Sequence, residues 1–525
     1  MSVFSYRSFM LSMTAILVAG GCQQVNGDGE EGRVVDSDML IQNALIVDGT
    51  GGPSYTADVL VDAGVIQRIG SINPENIRAG KLIDAGGRVL APGFIDSHAH
   101  GDPISQSYEG FLAMGVTTIV LGQDGRTAGV KWDSDVQTHE NDLASWMIDA
   151  EREGVQVNVA SMSGHGTIRY QVGVGEKSDP LTDQEIALMQ ERLRKDMEAG
   201  AFGMTSGLEY VPGLYSTEKE MVSLAKVVGE YDGVIMSHMR TEDDDKIEEG
   251  IGELVAQGEH ARIHISHLKI VYGKGEARAK RLLTFIDGLQ GNGVEISSDI
   301  YPYAAGYTGV AILFPEWALP PNDYKNVIAE RRDELEAYLT ARVIRRNGPQ
   351  ALLFGSEPYV GLTLEEAASK AGKSFSEFLI DIGPDGGSGA HFTQDRSTHD
   401  TLVASLSTAI STDGGPGIRH PRGTGTYAKL IDYYVQESEV LSLEEAVYKA
   451  TGLPASIMKL EDRGVIKEGA KADIILFNPE NVKQMSDYTN PFSLAEGFDL
   501  VLVNGKVAWE NGQLHSGRHG SILRR

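Results

Sequence analysis

The chain has one cysteine, Cys22, in 525 residues. That scarcity excludes an internal disulfide framework and every zinc module built on two or four thiolates. Positive charge is also short: 46 Lys+Arg against 74 Asp+Glu leave a formal net charge of −28. With no basic excess to displace counterions, sequence-independent binding to nucleic acid or to anionic lipid is excluded as a main activity. Long apolar runs are missing too. Phe9 to Ala19 (FMLSMTAILVA) falls short of the ~20 residues a membrane-spanning helix needs, and no other stretch is apolar for long enough. No Walker A sequence is present, so nucleotide-driven chemistry has no support. What the chain has in quantity is glycine, 62 residues, against a usual share of roughly 7%, which implies many tight turns between short elements. Hydrophobic content of 41% with 23% charged residues suits a globular protein with a large core and a smaller satellite domain.

The first residues read as an export signal. Arg7 is the charge of a short basic start, Phe9 to Ala19 has the length of a signal-peptide apolar segment, and Ala19-Gly20-Gly21 stand directly before Cys22. That order resembles a bacterial lipoprotein processing site, with Ala19 where a leucine or similar residue usually stands. An ordinary secretory leader with a chance cysteine is the other reading. Residues 1–21 are expected to be a signal peptide and 22–37 a polar, Gly-rich tether anchored through lipid on Cys22. The expected location is the bacterial cell envelope, exported, facing the periplasm or exterior.

Short alternating runs follow, Asp38 to Val47, Asp58 to Ile69 and Lys81 to Leu90, and similar ones return in Ala472 to Phe477 and Asp499 to Ala508, where Val503-Asn504-Gly505-Lys506 marks a hairpin turn. Both ends of the chain, 38–91 and 465–525, are expected to build one small β-sandwich. Between them, over 92–464, eight short apolar runs end in polar or small residues and are mostly followed by helical stretches: Phe94–His100, Val116–Asp124, Val155–His165, Ala201–Ser206, Val234–His238, Arg262–His267, Val294–Asp299 and Thr408–Asp413. Eight such units are what an α/β fold of the (β/α)8 TIM-barrel type requires, and the C-terminal ends of its strands carry the active site. About 110 residues separate the seventh and eighth runs, far beyond an ordinary connection. An insertion at about 312–390 therefore belongs there, with a charged helix near Asn326 to Arg346 and helical sequence over Leu362 to Ile382. At the catalytic face it is placed to act as a lid or specificity element, or is mere decoration.

Chemistry-bearing residues fall at the ends of these runs. His98 and His100, two apart on a strand, project to one side and can offer two imidazoles to one ion. His238 ends the fifth run, His267 the sixth and Asp413 the eighth. Four imidazoles and a carboxylate converging at a barrel mouth make a nitrogen/oxygen site suited to zinc or a similar divalent metal.

With those residues in place, the chain resembles the amidohydrolase superfamily and, within it, the N-acyl-D-amino-acid deacylases (D-aminoacylases). The resemblance runs over nearly all of the chain past the leader and is carried by APGFIDSHAH, AGAFGMTSGLEYVPGLYS, MSHMR, ISHLK, DIYPYAAGYTG, STDGGPGIRHPRGTGTY and DRGVIKEGAKADIILF. The GLEYVPGLYS and DRGVIKEGAKADIILF stretches look like this branch rather than like hydantoinases or dihydroorotases. The resemblance implies His98, His100, His238 and His267 as metal ligands and Asp413 as the catalytic carboxylate. One position departs: the family's Gly-Asn-Cys-Gly is here Gly122-Gln123-Asp124-Gly125. Asp124 then replaces a cysteine ligand, and a carboxylate binds or bridges the same metals with a harder donor, shifting preference from zinc toward manganese or cobalt. A turn role before Gly125 is the alternative for Asp124. One or two divalent ions are implied, zinc first.

The activity implied is hydrolysis of the amide of an N-acyl-D-amino acid by metal-activated water, with Asp413 as general base and then general acid. The D configuration rests on the resemblance alone. The substrate's carboxylate requires a local cation: Lys269, two residues after His267, and Arg422, close after Asp413, resemble the family's positions, with Tyr301 and Tyr303 as hydroxyl donors. Tyr210, His165 and Arg169 also look like family site residues. The plainer account of Lys269 and Arg422 is that they pair with structural carboxylates. A serine hydrolase reading has only Gly386-Gly387-Ser388-Gly389-Ala390, a loop-like sequence, to rest on. Two further readings stay open: a carboxypeptidase- or dipeptidase-like hydrolase of peptides with a D-residue, and a catalytically inactive, lipid-anchored binding protein. The expected partner is a small N-acyl amino acid or short peptide, with membrane association through the lipid anchor.

Overall fold

The computed structural model describes residues 34–130 and 142–525; the signal-peptide and Cys22 expectations lie outside them. Among the described residues, the barrel strands are β1 (Phe94–Asp96), β2 (Val116–Leu121), β3 (Asn158–Ser161, resumed as Ser163–Gly164), β4 (Gly203–Gly207), β5 (Val234–His238), β6 (Arg262–Ile265), β7 (Ile296–Ile300) and β8 (Thr408–Ile410). Neighbours pair in parallel from β1 round to β8. The ring closes beyond the strand ends: Asp413 N donates to His98 O at 2.8 Å, and His100 N to Gly414 O at 2.7 Å. All eight expected runs overlap these strands. β1 stops at Asp96, so His98 and His100 stand on the connection past the strand, not on it.

The helix Asp183–Ala199 shows how the local sequence sets the outer layer. Thr182 and Glu185 form a reciprocal cap, Ile186, Met189, Leu193 and Met197 recur on one buried face, and Gly200 ends the helix at φ 110°. Inside the barrel floor, Val120, Ala160, Met162, Phe202, Val234, Met236 and Ala409 meet Ile457, Met458 and Leu523. The floor is thus plugged by side chains from beyond β8, while the opposite end stays polar.

The satellite is one nine-stranded sheet built from both ends of the chain: Val89–Pro92 pairs antiparallel with Ile474–Phe477, Leu90 opposite Leu476. The period of two works on both faces. Ile474, Leu476, Leu500 and Leu502 join the sandwich core, whereas Ile475, Phe477, Val501 and Val503 pack on the barrel's main core. The first strand of this sheet is Val35–Ile46, so the expected tether ends before residue 35, not at 37; alternating Ile41, Leu45 and their neighbours extend the pairing further than the hydrophobic pattern alone suggests.

The insertion forms its own core. Gly306–Gly309, Ser388–His391 and Leu352–Phe354 make a small antiparallel sheet, with Ser388–His391 in the middle. Helices Tyr324–Arg345, Leu364–Lys370 and Phe375–Ile382 cover it through Leu335, Leu339, Leu364, Phe378 and Leu379. The expected single helical piece over 362–382 is broken by Gly372 at φ 68°. Ser388 sits in this sheet, its Oγ 3.0 Å from Tyr307 Oη, away from any strand-to-helix elbow.

A buried polar seam joins barrel and satellite. Asp473 takes an ion pair from Arg463 at 2.5 Å, an amide from Asn158 at 3.0 Å and the backbone N–H of Asn504 at 2.7 Å. Arg463→Met leaves that carboxylate unpaired in the interior and is expected to cost about 3 kcal/mol, read as a lowered urea midpoint; adding Asp473→Asn should recover part of the loss.

Candidate metal centre and active site

Three of the mouth residues hold left-handed backbone conformations that ordinary residues avoid: His267 at φ 38°, Asp413 at 47° and Asp124 at 53°. The surroundings impose these turns. His267 N donates to Asp299 Oδ1 at 2.6 Å. The same carboxylate accepts from Ser411 Oγ at 3.0 Å and lies 2.9 Å from His264 Nε2. Asp96 does the equivalent between β1 and β8, accepting from Thr412 N at 2.9 Å, Thr412 Oγ1 at 2.6 Å and His98 N at 3.2 Å. In the Asp124 turn, Gly122 has φ 89° and a Cβ there would collide with the Met162 carbonyl, while Gln123 Nε2 donates to Ser97 O at 3.0 Å. Each polar group thus ties one strand end to the next.

The side chains so placed converge. His98 Nε2 is 3.6 Å from both Asp124 Oδ1 and Asp413 Oδ1; His100 Nε2 is 3.0 Å from Asp413 Oδ1 and 3.6 Å from Asp124 Oδ2. On the other side, Asp124 Oδ1 is 3.4 Å from His267 Nε2 and 4.0 Å from His238 Nδ1, and those two nitrogens are 2.9 Å apart. Asp124 is common to both groups, His98–His100–Asp413 and His238–His267. The structure therefore sets it between two ligand sets, its Oδ1 facing His98, His238 and His267 and its Oδ2 facing His100.

The fit to a metal can be tested on the donors themselves. Both ring nitrogens of His98 and Oδ1 of Asp124 are buried without a hydrogen-bond partner, a costly state unless something else binds them. Imidazole nitrogens and carboxylate oxygens with no thiolate suit zinc and its harder neighbours. The residues fit the ion.

Outside these ligands stand carboxylates that the sequence reading did not single out. Glu209 Oε2 lies 3.2 Å from His238 Nε2, and Glu242 Oε1 lies 3.2 Å from His267 Nδ1. Each orients an imidazole through the nitrogen that faces away from Asp124. Glu242 is four residues after His238 and Glu209 immediately precedes Tyr210, so their sequence signal was proximity to residues already chosen.

Electrostatics follow from this packing. Burial opposes charge on His98, but Asp124 first, then Asp413 and Asp299, raise its pKa; at His267 burial and Lys269 are likewise outweighed by Asp124 and Glu242. Burial would raise the Asp413 carboxyl, yet Arg422 and the His100 contact hold it far below the usual carboxylate range.

A cavity of about 920 Å³ opens above the ligands, roofed partly by the insertion through Tyr307, Ile312 and Leu319. Of the expected substrate residues, Lys269, Arg422, Tyr301, Tyr210 and His165 line it. Lys269 Nζ is 2.6 Å from Glu242 and 2.8 Å from His267 Nδ1; Arg422 is 2.7 Å from Asp413 Oδ2 and stacks 4.7 Å from the Tyr301 ring. Both cations thus already face carboxylates of the site. Tyr210 lies 4.5 Å from the His238 ring and accepts from Thr308 Oγ1 at 3.2 Å. Tyr301 Oη is buried without a partner.

Two expected residues are elsewhere. Tyr303 does not line the cavity: the chain turns after β7, with Tyr303 N donating to Tyr301 O, and its ring packs 5.6 Å from His420 and 4.3 Å from Lys429 Nζ. Arg169 lies behind the wall, 2.8 Å from Glu220, which holds His165 Nε2 at 2.7 Å. It supports His165 and does not reach the cavity.

The chain belongs to the amidohydrolase family, whose model matches residues 81–235 and 402–508. It is a D-aminoacylase-like, metal-dependent member. The N-acyl-D-glutamate deacylase of Alcaligenes xylosoxydans xylosoxydans is 29% identical over 508 residues, covering 93% of this chain and 96% of its own. The D-aminoacylase of the same organism is 28% identical over 510 residues, covering 93% and 98%. The N-acyl-D-glutamate deacylase of Bordetella bronchiseptica, solved with zinc and a phosphonate mimic of the tetrahedral intermediate, matches with a TM-score of 0.80 at 27% identity, covering 94% of this chain and all of that one.

Removing and restoring metal tests the centre without reference to turnover. Zn2+ added to chelator-treated protein is expected to raise Tm, by the equivalent of about 3 kcal/mol near a hundredfold excess over Kd, and by clearly less in Asp124→Ala. The pH sign follows from the raised histidines. Their charge-pairing stabilises the metal-free state below the ordinary imidazole pKa and is lost as pH rises through the raised values, whereas the ion needs neutral rings. The zinc-induced rise in Tm should therefore grow from pH 6 to pH 8.

Proposed function

We propose that this protein hydrolyses the amide bond of N-acyl-D-amino acids, releasing a carboxylate and the free D-amino acid. The observation that carries the reading is the placement of Asp413: its Oδ1 faces the His98 and His100 nitrogens, and its Oδ2 faces a buried guanidinium beside the cavity. His98, His100, His238 and His267, with Asp124 between them, would hold one or two divalent ions, zinc being the ion bound by the Bordetella bronchiseptica relative. Such an ion lets water ionise near neutrality and draws electron density from an amide carbonyl.

The protein's own groups do the rest. Asp413, kept ionised by Arg422 and His100, accepts the proton of the attacking water as the new C–O bond forms. It returns that proton to the amide nitrogen as the C–N bond breaks, so the amine leaves neutral. Lys269 and Arg422 bring positive charge to the wall where the substrate's carboxylate must lie, and Tyr301 Oη, which has no internal partner, is free to donate to it. The D configuration is supported by the names of the two full-length relatives above, an N-acyl-D-glutamate deacylase and a D-aminoacylase.

Asp413→Asn keeps the shape and removes the base. It should retain metal and the wild-type circular dichroism while kcat on N-acetyl-D-amino acids falls by about 10³-fold. Near-wild-type turnover would refute the assignment. A panel of N-acetyl-D-amino acids, their L enantiomers and dipeptides ending in a D-residue, run with and without chelator, tests the substrate class; hydrolysis confined to the dipeptides would replace the deacylase reading with the peptidase one.

A further inference from the structure

The two carboxylates outside the His238–His267 pair each have a cation on their far side. Glu242 faces His267 Nδ1 at 3.2 Å and Lys269 Nζ at 2.6 Å. Lys269 belongs to the barrel itself, two residues beyond His267. Glu209 faces His238 Nε2 at 3.2 Å, and the cation behind it comes from the insertion: Arg342, on the helix Tyr324–Arg345, holds Nη2 3.8 Å from Glu209 Oε1. The contacts thus run from the insertion, through one carboxylate, to an imidazole whose other nitrogen lies 2.9 Å from His267 Nε2 and 4.0 Å from Asp124 Oδ1.

Arg342 also reaches a second loop. Its Nη1 is 3.4 Å from Asp243 Oδ2 and 3.5 Å from Tyr272 Oη. Glu209 follows β4 and Asp243 follows β5, so one planar guanidinium spans two neighbouring strand-end loops. The second loop is the one that places Glu242: Val271 N donates to Glu242 O at 2.8 Å, and Asp244 N to Val271 O at 2.9 Å. The arginine is fixed from behind, because Leu335, Leu339 and Val343 of its helix are buried in the insertion's own core. All three charged side chains are mostly buried, Arg342 and Glu209 being 17% exposed and Asp243 14%. At that depth solvent screens opposite charges less than at the surface, and removing one partner leaves the others uncompensated. This charge is not offered to a substrate: Glu209 and Asp243 line the cavity, and Arg342 does not.

We propose that Arg342 is a positioning residue of the metal centre. By bracing Glu209 against Asp243 it fixes the His238 imidazole, so that the insertion helps to set the affinity for an ion held by His238, His267 and Asp124. The inference rests on the metal centre and not on the choice of substrate, and it gives the insertion a task distinct from covering the mouth. Arg345 supplies the internal control. It leaves the same helix end for the same loop, but its pairs are Asp243 at 3.5 Å and Asp245 at 2.9 Å, and its side chain is 49% exposed.

The test is zinc affinity, measured by competition with a chromophoric chelator on metal-free, full-length protein with no substrate present. Loss of a group that orients a metal ligand costs about 10- to 100-fold in affinity. Arg342 acts one contact further out, so Arg342→Met is expected to weaken zinc by about tenfold, the low end of that range. Glu209→Gln should weaken it similarly, and the double variant should bind no more weakly than the weaker single one, because the arginine acts through that carboxylate. Arg345→Met should stay within about twofold of the wild type, as expected for a half-exposed pair; a role confined to docking the insertion would move both arginine variants alike. Arg342→Lys keeps the charge but cannot span both carboxylates, so it should lose less than Arg342→Met. If Arg342→Met does not fold, Arg342→Lys is read in its place, with a loss that vanishes in the Glu209→Gln background. Unchanged affinity in the folded Arg342 variants, losses that add in the double variant, or an equal loss in Arg345→Met overturns the proposal. A wild type that binds no zinc removes the metal centre and this role with it, whereas zinc binding without turnover of any N-acyl-D-amino acid removes the deacylase reading and leaves the Arg342 comparison to decide its own case.

Discussion

The closure of the barrel between its first and last strands is the contact on which the mouth depends. β1 and β8 are short, and the seam is completed beyond them by the Asp413 N to His98 O bond, the His100 N to Gly414 O bond and the Asp96–Thr412 contacts. The segments that shut the barrel are the segments that carry His98, His100 and Asp413. A change that opened the seam would therefore separate the carboxylate from the imidazoles before it unfolded anything else.

Closure also creates an electrostatic problem. Asp124, Asp413, Glu209 and Glu242 crowd against four imidazoles, Lys269 and Arg422 in a region mostly shielded from water. Every member leans on another, and the chain holds three of them in left-handed backbone to do so. Strain of this kind, of order 1–3 kcal/mol per residue, persists only where surrounding hydrogen bonds over-determine it. Here Asp299 and Asp96 supply those bonds, and the hydrophobic floor below, from Val120 to Ile457, absorbs the stability cost.

The parts legible in the sequence were those with a repeating grammar. Eight apolar runs with polar ends showed the barrel, and His98, His100, His238, His267 and Asp413 stood out because each ended a run. The alternation in 474–477 and 500–503 showed a sheet, though not that both of its faces would be covered. What escaped lacked a period. Tyr303 was grouped with Tyr301 as a hydroxyl donor at the end of the seventh run, but β7 ends at Ile300 and the following turn points the second tyrosine elsewhere. Arg169 sits on a helix whose inner side meets Glu220, a partner 51 residues on.

The composite sheet has a consequence for how the molecule comes into being. Leu90 lies opposite Leu476, so the strands that flank the barrel on one side must wait for a partner that leaves the ribosome after the whole barrel and its insertion. At about 5–20 residues per second that delay is tens of seconds, during which Ile41, Val59 and Val61 have no far wall to pack on. Such pairings of distant segments are slow to form and leave edges open to wrong partners. The last-made strands are thus the closing piece of the first-made sheet.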